Sequence, residues 1–118
     1  MPELAPKERA DQVLESLQPF QRATVDHVVR RLWTDDDAVD KFLVADEVGL
    51  GKTMVAKGVI ARTVEHLTGI EDRIDVIYIC SNNQIARQNL SRLNVVEGYE
   101  LSHADRLTLL PGAMRDLT

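Results

Sequence analysis

The spacing of apolar residues changes period several times along the chain, and each change predicts an element. Residues 7–17 predict a short helix, ended by Pro19. Val25, Val28, Val29 and Leu32 then recur at i, i+3, i+4 and i+7, which lines one face of a helix. Residues 20–33 are therefore predicted as an amphipathic helix ending near Trp33, followed by an acidic loop over 34–40. Phe42-Leu43-Val44-Ala45 is a short apolar run that predicts a buried strand. Farther on, Ala56, Val59, Ile60, Thr63, Val64 and Leu67 return to the helical period, with Gly69 as the stop signal. Ile74-Asp75-Val76-Ile77-Tyr78-Ile79-Cys80 is nearly continuous in apolar and β-branched residues, which predicts a strand covered on both faces, as in a parallel sheet. Ser81-Asn82-Asn83 can cap a helix that runs to about Leu93, with Ile85, Ala86, Leu90 and Leu93 on its apolar side. Residues 94–105 predict a loop, and Leu107-Thr108-Leu109-Leu110 a short strand stopped by Pro111-Gly112. Strands alternating with helices predict an α/β domain with a parallel sheet and flanking helices.

Composition narrows the class. The 118 residues suit one small domain, and 44% apolar content is enough for a core. With aromatics at 4%, that core must be mostly aliphatic. No apolar run approaches the roughly 18 residues of a membrane span, and the first residues hold no stretch fit for a signal peptide. A single cysteine forms no internal disulfide. These features point to a soluble cytoplasmic protein. The net charge of −5 is local: residues 1–34 carry five bases and five acids, and 48–118 carry eight of each. The excess comes from Asp35, Asp36, Asp37, Asp40, Asp46 and Glu47 against Lys41. Bulk charge thus excludes a basic nucleic-acid-binding domain, while leaving room for a few placed phosphate contacts. His27, His66 and His103 have no metal-ligand spacing. Cys80 reads as a small buried hydrophobe and Trp33 as a packing anchor.

The chemistry concentrates between the first predicted strand and the helix after it. Gly49-Leu50-Gly51-Lys52-Thr53 stands there. Glycines let the backbone turn tightly and bring its N–H groups to an anion. The following helix adds free N–H groups and the positive end of its dipole. Lys52 can reach the β- and γ-phosphates, and the Thr53 hydroxyl can ligate Mg²⁺. The strict pattern G-x-x-x-x-G-K-[ST] asks for glycine at position 46, where this chain has Asp46.

Ala45-Asp46-Glu47-Val48-Gly49-Leu50-Gly51-Lys52-Thr53 closely resembles motif I of the superfamily-two, DEAD/DEAH-like helicases and translocases. The Asp-Glu-x-Gly-Leu-Gly-Lys-Thr form is that of the Swi/Snf-like branch, in which Asp at the first-glycine position is normal. Upstream, Leu17-Gln18-Pro19-Phe20-Gln21-Arg22 resembles the family's glutamine motif. The resemblance assigns Gln21 to the adenine edge, where an amide matches donor and acceptor. Residues 77–88 stand where motif Ia belongs. There the resemblance implies contact with a nucleic-acid backbone, with Ser81, Asn82, Asn83 and Arg87 as candidates.

The resemblance covers roughly 17–93 and implies the N-terminal part of a first RecA-like lobe. Residues 1–18 become a helical lead-in and 19–118 a partial helicase ATP-binding domain. It implies ATP and Mg²⁺ as cofactors, Lys52 as the catalytic residue, Thr53 as metal ligand, and Asp46, Glu47, Val48, Gly49, Leu50 and Gly51 as the rest of the phosphate site. It implies nucleic acid as partner, DNA in preference to RNA, and a second RecA-like lobe that this chain lacks. No Asp-Glu-x-His or Asp-Glu-x-Asp motif follows residue 93, so hydrolysis by this chain is expected to be slow. A lobe of this kind missing its later strands is expected to be marginally stable, with strands that pair with each other, stay exposed or associate with another chain. Two other readings remain open: a stand-alone P-loop kinase or other NTPase, and a truncated, non-catalytic interaction module.

Overall fold

The computed structural model describes residues 4–45 and 51–93. Four α-helices account for most of them: α1 (Pro6–Glu15), α2 (Pro19–Val29), α3 (Lys52–Leu67) and α4 (Asn83–Leu93). Proline opens both α1 and α2 at the first helical position, where its missing N–H costs nothing and its fixed φ already suits the helix. Ser16 Oγ and Thr68 Oγ1 each donate to a carbonyl in the last turn of α1 and α3. Gly69 follows α3 at φ +86°, the left-handed conformation expected of a glycine past a helix end.

Helix α3 is the centre, with α1, α2 and α4 all packed on it. Its most buried face consists of Val55, Gly58 and Ala61. This differs from the predicted stripe of Ala56, Val59, Ile60, Thr63, Val64 and Leu67, all of which are partly exposed. Packing has selected small residues for the closest contact. A Cβ on Gly58 would stand 2.7 Å from Val25 Cγ2 and 3.2 Å from both Leu14 Cδ2 and Leu17 Cδ1. Leu14, Leu17, Val25 and Val55 form one buried cluster around that point, and Ala10 with Ala61 a second. Arg62 extends the α1–α3 contact outward, with Nη1 3.0 Å from Asp11 Oδ1 and 2.8 Å from Glu65 Oε2.

Helix α2 does not stop at Val29. Arg30–Thr34 continue it as one wide π-helical turn, closed by the Asp35 N–H donating to the Arg30 carbonyl at 2.9 Å. Arg31 then holds the start of the acidic loop through Asp35 at 3.0 Å and Asp37 at 2.9 Å. Trp33 anchors the turn to α3. Its indole N–H donates to Thr63 Oγ1 at 3.1 Å, and its ring lies 5.4 Å from that of His66.

The expected α/β architecture, a partial RecA-like lobe with a parallel sheet, is not what the chain adopts. Among the described residues there is no strand and no sheet, only an isolated bridge between Thr68 and Glu71. The predicted strands 42–45 and 74–80 carry no ladder pairing. Leu43 is 83% exposed and Ile79 73%, the opposite of a strand covered on both faces. Phe42 instead lies edge-on to His27 at 5.5 Å, and the Tyr78 hydroxyl accepts from Asn89 Nδ2 at 2.9 Å. Apolar content favours burial, but a strand exists only with a partner strand beside it. The predicted strand 107–110 and the loop 94–105 lie outside the described residues.

Gly58→Ala gains up to about 1 kcal/mol in helix propensity, while overpacking against the rigid, fully buried Val25 costs about 1–3 kcal/mol. A net loss of about 1–2 kcal/mol in denaturant melts is expected, and Val25→Ala in the same chain is expected to recover part of it. A Gly58→Ala chain as stable as its parent contradicts this packing. Hydrogen bonds from Lys7 and then Arg62 hold the Asp11 carboxyl below its ordinary value of 3.8. A carboxyl with a lowered folded-state value stabilises above its unfolded value and loses that contribution as pH falls through the folded one. The stability difference between the parent and Asp11→Asn is therefore expected to hold near neutrality and shrink below pH 3.8; a difference that grows in acid contradicts the ion pairs.

Candidate nucleotide-binding site

Gly51 caps the N-terminus of α3 at φ +80° and ψ +42°. A side chain is disfavoured there by backbone conformation alone. A Cβ on Gly51 would also run into Gln21 Nε2 and stand 3.6 Å from Gln21 Cδ, so a side chain there would displace the Gln21 amide. The Gly51 carbonyl accepts from the Met54 N–H at 3.0 Å and the Val55 N–H at 3.1 Å. The amides of Lys52 and Thr53 fall in the first turn, where a helix provides no acceptor for them. That turn holds no acidic residue. Lys52 is exposed and Thr53 half-buried. A left-handed glycine turn, two first-turn amides, a lysine and a hydroxyl suit an anion such as a polyphosphate.

Gln21 is the third residue of α2 and is 8% exposed. Its Oε1 accepts from the Gln18 N–H at 2.9 Å, half of a capping box across Pro19 and Phe20. The opposite end of the amide, Nε2, faces Gly51. Two positions thirty residues apart in sequence thus meet at the start of α3. The signal for the local half of this arrangement was present in the sequence: a glutamine three residues beyond Gln18, with proline between, is the pattern of a helix start. The approach of Gln21 to Gly51 has no local signal.

The other predicted site residues divide into two groups. Asp46, Glu47, Val48, Gly49 and Leu50 lie outside the described residues. Ser81, Asn82, Asn83 and Arg87 sit at the N-terminal end of α4 and are exposed. Asn82 Oδ1 accepts from the N–H groups of Gln84 at 3.0 Å and Ile85 at 3.1 Å. Its side chain therefore performs the capping role that Ser81-Asn82-Asn83 suggests. On the inner side of α4, Ala86, Asn89 and Leu93 are buried.

Among the described residues, no group of three or more His, Cys, Asp or Glu side chains converges as a metal site, and no helix is long and apolar enough to cross a membrane. Cys80 is a free, half-buried thiol. Comparison with protein-family models, with curated proteins and with solved structures gives no match to this chain.

Asn82→Ala is expected to cost about 0.5–2 kcal/mol of stability through loss of the cap. Asn82→Asp, which keeps the acceptor, is expected to stay near the parent in thermal melts. An alanine variant indistinguishable from the parent contradicts the capping role.

Proposed function

We propose that the start of α3 binds the polyphosphate of Mg-ATP, and that the chain is the ATP-binding portion of an ATP-dependent helicase or translocase acting on nucleic acid, DNA in preference to RNA. The observation that carries the binding reading is the meeting of Gln21 with Gly51 ahead of Lys52 and Thr53. Two segments of sequence that resemble nucleotide-binding motifs thus meet at the start of α3. The motor reading rests on the resemblance of Asp46-Glu47-Val48-Gly49-Leu50-Gly51-Lys52-Thr53 to motif I and owes nothing to the sheet that the described residues lack.

The chemistry follows from charge. Lys52, exposed at the first position of α3, neutralises the terminal phosphates. The amides of the first helical turn hold the same oxygens with the dipole behind them. Thr53 is the residue suited to hold Mg²⁺, which when bound screens the phosphate charge and polarises the transferred phosphoryl group. Phosphoryl transfer needs a further carboxylate to orient water. The sequence holds no Asp-Glu-x-His or Asp-Glu-x-Asp after residue 93, so the chain binds nucleotide far better than it turns it over.

Calorimetric titration with Mg-ATP tests the reading. Binding to the parent is expected, and Lys52→Ala is expected to weaken it about 10–100-fold, the range for losing a hydrogen bond to a charged group. A parent chain that takes up no Mg-ATP, or a Lys52→Ala chain that binds it equally well, overturns the proposal.

A further inference from the structure

Among the described residues, Gln21 is the one buried polar side chain that touches the candidate site from outside its own segment, and the direction of its amide assigns it a task. Reading an adenine edge requires the amide to present a donor and an acceptor side by side toward the base. Here the two ends are turned elsewhere. Oε1 points back to the start of its own helix, where it accepts from the Gln18 N–H at 2.9 Å. Nε2 is turned to Gly51, closely enough that a Cβ there would displace it. The side chain is 8% exposed, so little of the amide is left to meet a base. From this geometry we infer that Gln21 is a positioning residue for the phosphate end of the bound nucleotide. It holds Gly51 and the first turn of α3 in their anion-binding arrangement and does not select the nucleobase. The inference rests on the polyphosphate site proposed above.

Three parts of the molecule join in this arrangement. The capping bond fixes the Gln21 rotamer relative to Gln18. Helix α2 is fixed on α3 by Val25 against Gly58, two turns farther along α3. The amide nitrogen then lies against Gly51 at the start of α3. The nitrogen end also has the right polarity, since a donor beside an anion site supports the anion and an acceptor opposes it.

The two ends of the amide can be separated by substitution. Gln21→Glu keeps the acceptor for the Gln18 N–H and puts a carboxylate oxygen where Nε2 stood. Gln21→Met removes both ends without adding charge. Inorganic tripolyphosphate, Mg-ATP and Mg-GTP are titrated into the parent chain and both variants, with circular dichroism to verify helix content. The parent is expected to bind all three. Gln21→Glu is expected to weaken all three by a common factor of about tenfold or more, leaving the ATP-to-GTP ratio within about twofold. Its deficit relative to the parent is expected to shrink as pH falls and the introduced carboxyl takes up a proton. Gln21→Met, which adds no charge, is expected to show no such recovery. Gln21→Met is expected to weaken the three ligands equally. Loss confined to Mg-ATP with tripolyphosphate unchanged makes Gln21 a base reader and overturns the inference. Unchanged binding in both variants also overturns it. A parent that binds tripolyphosphate but responds in either of these ways leaves the polyphosphate site standing. A parent that binds none of the three ligands removes that site and this role with it.

Discussion

The absence of a side chain at position 58 is the constraint on which the rest of the packing depends. At Gly58 the backbone of α3 comes within van der Waals reach of Val25 from α2, of Leu14 from α1 and of Leu17 just past its end. One glycine therefore receives contacts from both preceding elements. Close approach of this kind increases the number of dispersion contacts each apolar atom makes. It matters here because aromatics are only 4% of the chain, so the core is built from Ala, Val and Leu and must gain by proximity what it lacks in side-chain size. Ala61 repeats the arrangement one turn later against Ala10.

These contacts also fix direction. On α1, Leu14 meets Gly58 while Asp11 meets Arg62, so α1 runs opposite to α3. On α2, Gln21 meets Gly51 while Val25 meets Gly58, so α2 advances in the same sense as α3. Gln21 and Val25 are four residues apart and share one face of α2. The face that builds the core therefore also delivers an amide to the start of α3. Burial of Val25 and placement of Gln21 are one event, and the candidate site inherits its geometry from the core.

What could be read from the sequence follows the range of the interactions involved. The helices were legible because their signals are local: the 3–4 spacing of apolar residues, Ser81-Asn82-Asn83 ahead of α4 and Gly69 past α3. The buried stripe of α3 was misassigned because hydrophobicity ranks Val59, Ile60 and Leu67 above Gly58 and Ala61, whereas the closest helix contact favours the small residues. Segments 42–45 and 74–80 have the composition of buried strands and none of the pairing. Composition describes what a segment would do with a partner and cannot supply one. The turn at 30–34 departs from the regular helix because Arg31 and Trp33 find partners in Asp35, Asp37 and Thr63, two of them beyond the reach of a single helical turn. At the site, Gly51, Lys52 and Thr53 carry their chemistry in plain sequence. The orientation of the Gln21 amide depends on where α2 lands, and no local pattern encodes it.

The proposed anion-binding unit joins the start of α3 to Gln21. Amide-resolved nuclear magnetic resonance of the labelled chain, titrated with inorganic tripolyphosphate, tests it most directly. The backbone N–H signals of Gly51, Lys52 and Thr53 and the side-chain NH₂ of Gln21 are expected to shift together along one saturable curve, while the Gln84 and Ile85 amides capped by Asn82 stay in place. Shifts that fail to saturate, or that spare Gln21 and the first turn of α3, contradict it.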